Sequence, residues 1–116
     1  MGSKLTLMPI KFWATANGRE PVREFLKELP KPDRYRLGED LRKLQFGWPI
    51  GMPLVRKLEG DLLELRSSVP SKREIRLIFA TDGKLLVLLH GFIKKTQKTP
   101  ATELTIARKR MKELIS

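Results

Sequence analysis

Apolar and polar positions along this chain follow two periods and one unbroken run, and together these divide it into elements. From Leu85 to Leu89 no polar residue occurs, the run is short, and Asp82-Gly83 precedes it. That predicts a buried central strand over Lys84 to Phe92, entered through a two-residue hairpin turn. Upstream, LLELRS and EIRLIFA alternate with period two. Leu63 and Leu65 point one way with Glu64 and Arg66 opposed, and Ile75, Leu77 and Phe79 oppose Glu74 and Arg76. Strands are therefore predicted over Leu62 to Ser67 and Glu74 to Thr81, with shorter ones over Leu54 to Leu58 and, in the strand-forming IKFWAT, Ile10 to Thr15. Helical spacing takes over where Val22, Phe25, Leu26 and Leu29 recur between Pro21 and Pro30. It returns in Leu37, Leu41 and Leu44, in a helix starting near Pro32-Asp33 and stopped by Gly47 and Pro49. It appears a third time in Leu104, Ala107, Met111 and Leu114. The GWPIGMP stretch at 47–53 is too rich in glycine and proline for regular structure, and Trp48 within it reads as a loop anchor over the core rather than a base-stacking platform.

These elements predict an α+β fold: two N-terminal helices packed on a mostly antiparallel sheet of about four to five strands, with a C-terminal helix. At 116 residues the chain suits one domain, expected over residues 10–116. Residues 1–9 read as an N-terminal extension whose Met1-Gly2-Ser3 resembles a cloning remnant. No apolar run approaches the roughly 18 residues of a membrane span and no leader pattern is visible, so a cytoplasmic protein is expected.

Charge sharpens the picture. Twenty-four Lys and Arg against 13 Asp and Glu give a formal net charge of +11. That excess predicts an anionic partner, nucleic acid first, an acidic protein next and a membrane surface last. The absence of cysteine removes disulfides, thiolate nucleophiles and cysteine-ligated metals. There is no glycine-rich phosphate loop, nucleophile elbow, paired-carboxylate metal motif or zinc spacing, so neither a metal nor a cofactor is expected.

Candidate chemistry gathers where the apolar run ends. After Ile93 the chain reads KKTQKTP, a basic elbow in which Lys94, Lys95 and Lys98 alternate with Thr96, Gln97 and Thr99 before Pro100 opens the last helix with Thr99 as its cap. Strand alternation puts Arg66 and Arg76 together on the face away from the first two helices, as a cationic floor beside this elbow. Guanidinium groups match phosphate oxygens in pairs and ammonium groups add charge near a developing oxyanion, so a phosphodiester fits. Each residue also has a plainer reading. Arg66 pairs with Glu64 or Glu74 across strands, and the lysines are solvated strand-end charges. His90, the lone histidine, is either a satisfied core residue or a proton carrier, and Glu64 either an inter-strand partner or a proton acceptor.

The segments LEGDLLELRSS, EIRLIFA and HGFIKKTQKTP together resemble the HigB-like toxins of bacterial type II toxin-antitoxin systems, a branch of the RelE superfamily that includes phage-derived proteins. The resemblance runs from about Ile10 to the C-terminus. It implies a compact fold of two helices on an antiparallel sheet and a metal-independent endoribonuclease that cleaves mRNA on the ribosome through attack of the RNA 2′-hydroxyl. It assigns scissile-phosphate contact to Arg76 and acid or charge-stabilising work to Lys94 or Lys95, and it makes Arg66 a motif residue. Beside the positions the resemblance assigns, Arg56, Lys57, Arg73, Gln97 and Lys98 are the further RNA-binding candidates, and Glu64 and His90 the possible proton-transfer residues. The implied partner is a helix-turn-helix antitoxin, HigA-like, through which alone operator DNA would be bound. The sequence departs from the RelE pattern at Leu62 and Glu64, where relatives carry lysines, and its one tyrosine, Tyr35, lies far from the C-terminal segment. A non-catalytic RNA- or DNA-binding regulator is the alternative expectation.

Overall fold

The apolar run that dominates the sequence becomes the second strand of a five-stranded sheet. The computed structural model describes residues 7–115. Their elements are β1 (Ile10–Phe12), α1 (Pro21–Glu28), α2 (Lys31–Gly47), β2 (Val55–Lys57), β3 (Leu63–Ser68), β4 (Glu74–Asp82), β5 (Leu85–Lys94) and α3 (Ala101–Ile115). The sheet order is β1-β5-β4-β3-β2. β2 to β5 form an antiparallel meander, and β1 joins the far edge parallel to β5, so the chain crosses the whole sheet through α1 and α2 before the meander begins. The α+β class and the placement of the helices agree with the sequence reading.

Two cores result, one on each face. Leu65, Ile75, Leu77, Phe79, Leu86 and Leu88 pack under Val22 and Leu29 of the α1 segment and Leu37, Leu41 and Leu44 of α2. Leu62, Ile78, Ala80, Val87, Leu89 and Phe92 pack under α3 through Ala107, with Leu104, Met111 and Leu114 alongside. β5 is apolar in both of its phases because both of its faces are covered. A register shift between Ile78 and Phe79 leaves Leu89 without a direct partner on β4.

Local details explain the boundaries. Pro21 and Pro32 occupy the first turns of α1 and α2, where their missing N–H groups cost nothing. The hairpin between β4 and β5 turns on Gly83 and Lys84, one residue later than Asp82-Gly83, with Gly83 at φ +61°. Gly91 is required for a different reason: Phe25 of α1 and Leu77 approach so closely that a Cβ there would meet their carbons at 2.7 and 2.8 Å. Trp48 anchors the loop after α2, its ring edge-on to Phe79 at 6.0 Å. The last residues of the expected extension are tied down: the Met8 amide donates to Gln45 O, Gln45 Nε2 donates to Met8 O, and the Leu86 amide donates to Pro9 O. Residues 1–6, including Met1-Gly2-Ser3, lie outside the described residues.

Candidate functional site

Strand register fixes which side chains meet. Arg66 on β3 stands directly opposite Arg76 on β4, and Arg76 opposite Phe92 on β5; one step further along, Ser68, Glu74 and Lys94 form the next row, and on the other side lie Glu64, Ile78 and His90. Arg66 and Arg76 thus share the face expected of them. That face is not an open cationic floor, however. Its other half is the second apolar core, roofed by α3, and the Arg76 side chain is only 3% exposed.

A buried guanidinium needs compensation, and Arg76 has it from both flanks. Its Nε lies 3.7 Å from Glu64 Oε1 and its Nη1 3.1 Å from Glu74 Oε1. Glu64, itself 1% exposed, also accepts a hydrogen bond from the Thr99 hydroxyl at 2.7 Å. Glu74 accepts one from Ser68 Oγ at 2.6 Å. Thr99 therefore does not cap α3 as its position suggested. Its hydroxyl is spent on Glu64, and the Glu103 and Leu104 amides donate to the Pro100 carbonyl instead. The elbow is in this way tied to β3 across the top of β4.

Glu74 is the exposed member of the network, its side chain 43% accessible. It forms the wall between two open depressions. One is lined by Arg66 and Ser68 together with Arg36 and Lys43 of α2, the other by Lys94, Lys95, Thr96 and Gln97. Burial alone would raise the Glu74 carboxyl, but the hydrogen bonds from Ser68 and Arg76 and the charges of Arg76 and Lys94 together hold it below its ordinary value. It is an ionised carboxylate with cations on two sides and beneath.

The remaining candidates separate. The Arg66 side chain places its Nη1 3.4 Å from Met52 Sδ and makes no ion pair among the described residues, so the plainer reading of it, a cross-strand partner of Glu64 or Glu74, does not hold. Arg56 is exposed on β2 opposite Glu64, on the Arg76 face. Lys57 is exposed but opposite Leu63, on the α1–α2 side, beside Trp48 and Asp61. Arg73 is drawn away to Asp33, whose buried carboxylate also takes the Ser71 amide and hydroxyl. Lys98 is exposed on the elbow, where the Thr96 hydroxyl donates to its carbonyl. His90 joins β5 to α3, its Nε2 2.6 Å from Glu103 Oε1 and its ring stacked on Phe92. Ser68 and Thr99 are members of the cluster that alternation missed, and Glu74, which alternation did put on the Arg76 face, entered the sequence analysis only as an ion-pair partner for Arg66. The signal available was Glu74 two positions from Arg76 on one strand, hence on the same face.

Among the described residues no helix is long and apolar enough to cross a membrane. No curated protein matches the chain. Residues 24–112 match the model of the phage-derived Gp49-like proteins (DUF891). They span both the meander and the elbow, so the chain belongs to the Gp49-like family of phage-derived proteins, a RelE-like family related to toxin-antitoxin systems.

Proposed function

We propose that this protein is the toxin of a type II toxin-antitoxin pair, of the HigB kind, and that it cuts mRNA on the ribosome by driving the RNA 2′-hydroxyl onto the adjacent phosphate. The observation that carries the reading is Glu74: an exposed, ionised carboxylate walled on one side by Arg66 and on the other by Lys94 and Lys95, with Arg76 fixed below it. A phosphodiester lying over Glu74 has cations for its non-bridging oxygens on either flank. The 2′-oxygen bonds to phosphorus, its proton passes to Glu74, the bond to the 5′-oxygen breaks, and that oxygen takes a proton from Lys94 or Lys95; a cyclic phosphate and a 5′-hydroxyl remain. Arg76 is a positioning residue, holding Glu74 from beneath and not reaching solvent. Glu64 and Thr99 hold Arg76 and the elbow in turn. A helix-turn-helix antitoxin would silence the site by covering the elbow with acidic side chains.

Translating ribosomes incubated with purified protein and probed by primer extension test this. Wild type gives discrete cuts; Glu74→Gln lowers the rate by about 10²- to 10⁴-fold and Lys94→Ala/Lys95→Ala by at least about 10²-fold, with melting temperatures near wild type. Cleavage by both variants at the wild-type rate removes the site. The enclosure of Arg76 favours one second reading, a binding module whose surface holds RNA without cutting it. Absence of any cut by wild type, with binding that weakens steeply as salt rises, selects that reading.

A further inference from the structure

Outside the site just described, α2 carries an unused surface. Its inner face is spent on Asp33, Leu37, Asp40, Leu41 and Leu44, all buried. Its two carboxylates are occupied there: Asp33 holds the 71–73 loop, and Asp40 accepts the Ser67 hydroxyl at 2.6 Å with Arg36 and Lys43 near it. Directly opposite, helical geometry lines up Lys31, Tyr35, Gly38, Arg42 and Phe46. Tyr35 is 73% exposed, by far the most exposed of the large apolar side chains on this helix, and Phe46 is 42% exposed. Arg42 lies over the Phe46 ring at 5.4 Å. Arg34 flanks the stripe, its guanidinium held by the Lys27 and Leu29 carbonyls, which fix it without cancelling its charge. None of Lys31, Arg34 and Arg42 enters an ion pair among the described residues. Gly38 leaves a gap beside Tyr35, where a Cβ would meet nothing within 4 Å beyond the helix's own backbone and its chain neighbours, and the shallow depression there is lined by Lys31, Arg34, Tyr35 and Arg42 with Glu39 as its carboxylate.

Cations separated by isolated exposed rings are the pattern that takes phosphates and stacks a base between them, whereas a protein-docking face of this size would carry contiguous apolar side chains. We propose that the outward stripe of α2 is a second RNA-binding surface, in which Lys31, Arg34 and Arg42 hold the backbone of structured RNA and Tyr35 stacks on an unpaired base. It rests on the proposed function only in that RNA is the substrate there. The stripe lies across the width of α2 from the sheet, about 10 Å, so the nucleotides held at Glu74 are not the ones it holds. Its RNA lies outside the linkage being cut, which gives the protein a means of engaging structured RNA beyond the scissile nucleotide.

Fluorescence anisotropy of a labelled RNA stem-loop carrying one bulged nucleotide, against the same stem fully paired, tests this with the full-length protein in a Glu74→Gln background that keeps the RNA intact. Tyr35→Ala is expected to weaken the bulged stem about tenfold and the paired stem much less. Lys31→Ala/Arg42→Ala is expected to weaken both and to lower the slope of log affinity against log salt by about 2. Equal affinity and slope in all variants, each melting as the parent does, overturns the proposal. So does unchanged RNA affinity together with loss of binding to an acidic protein, which would make the stripe a protein surface. Cleavage by wild type bears on the other reading alone: a protein that never cuts RNA but shows these losses keeps the stripe, and one that cuts and shows none loses it.

Discussion

Replacing Arg76 with methionine separates structural from chemical roles in the network, and its cost follows from burial. Methionine fills a comparable space in the sheet but removes the charge from between Glu64 and Glu74. Glu74, 43% exposed, regains water and loses little, about 0–1 kcal/mol. Glu64, 1% exposed, keeps only the Thr99 hydroxyl. An uncompensated carboxylate at that depth costs about 3–5 kcal/mol, a large share of the roughly 5–15 kcal/mol that holds a domain folded. With a urea dependence of about 2 kcal/mol per molar, the unfolding midpoint falls by roughly 2 M. Arg76→Met/Glu64→Leu removes the stranded charge too, and its stability is expected to return to within about 1 kcal/mol of wild type, since a well-packed apolar pair substitutes for a buried ionic one at little cost. Equilibrium urea unfolding followed by tryptophan fluorescence measures both. A single variant losing less than about 1 kcal/mol, or a double variant no better than the single, refutes the reasoning, because Arg76 would then not be the counter-charge that lets Glu64 stay buried.

Three further outcomes follow from particular contacts. Gly91→Ala drives a Cβ into Phe25 and Leu77 and should lower stability by about 1–3 kcal/mol, part of which Phe25→Leu restores; an unchanged melting temperature contradicts the close approach. Asp40→Ala strands the fully buried Ser67 hydroxyl and should cost about 1–3 kcal/mol in chemical denaturation, whereas Arg36→Ala, which loses only an exposed partner of the same carboxylate, should cost less than about 1 kcal/mol. Glu74 titrates below its ordinary value of 4.5, so its stabilising contribution is complete above the unfolded value and is lost as pH falls through the lower folded one. The melting-temperature gap between wild type and Glu74→Gln should accordingly be full above the ordinary value of 4.5 and close as pH falls below it, and a gap that does not vary with pH would mean the carboxylate is not held by Ser68 and Arg76.

Much of the fold was legible because period and punctuation agreed. Val22 and Leu29 bracket α1, Leu37, Leu41 and Leu44 lie on the buried stripe of α2, and the alternation of β3 and β4 put Arg66 and Arg76 on one face, as their register has them. The extent of the cationic floor was misread, although the signal was present. A strand apolar at Leu85, Leu86, Val87, Leu88 and Leu89 has no polar face, so something had to cover the second one. The stripe of Leu104, Ala107, Met111 and Leu114 was that cover. Other features depend on long-range geometry that no local pattern encodes. Thr99 sits where a cap is expected, but Glu64, thirty-five positions earlier, takes its hydroxyl. Arg73 reads as one more cation of the RNA set until the 69–73 loop folds back on Asp33 of α2. The plainer reading of Arg66, a partner for Glu64 or Glu74, fails because both glutamates are already engaged by Arg76.

That engagement has an electrostatic consequence for the proposed reaction. Arg66 and Arg76 face each other across two strands, a repulsive placement that persists because Glu64 and Glu74 lie on either side. Counting Lys94, which stands opposite Glu74, the cluster holds three positive and two negative charges, 3 − 2 = +1, before Lys95 adds to it. One phosphodiester, with its single negative charge, balances this. As the 2′-oxygen closes on phosphorus the phosphoryl group moves toward two negative charges, and if its proton passes to Glu74 the cluster moves from +1 to +2 in the same step. The buried pair of Arg76 and Glu64 does not change its charge, so the positive field strengthens only where the transition state develops negative charge, which is the condition for lowering a barrier rather than merely binding the substrate. A cluster in which Glu74 were a permanent, unprotonated partner of Arg76 would bind the phosphate before and during the step with the same field. The pH dependence of the single-turnover rate distinguishes the two: an acid limb that Glu74→Gln abolishes supports the coupled change, and an identical profile in the variant rules it out.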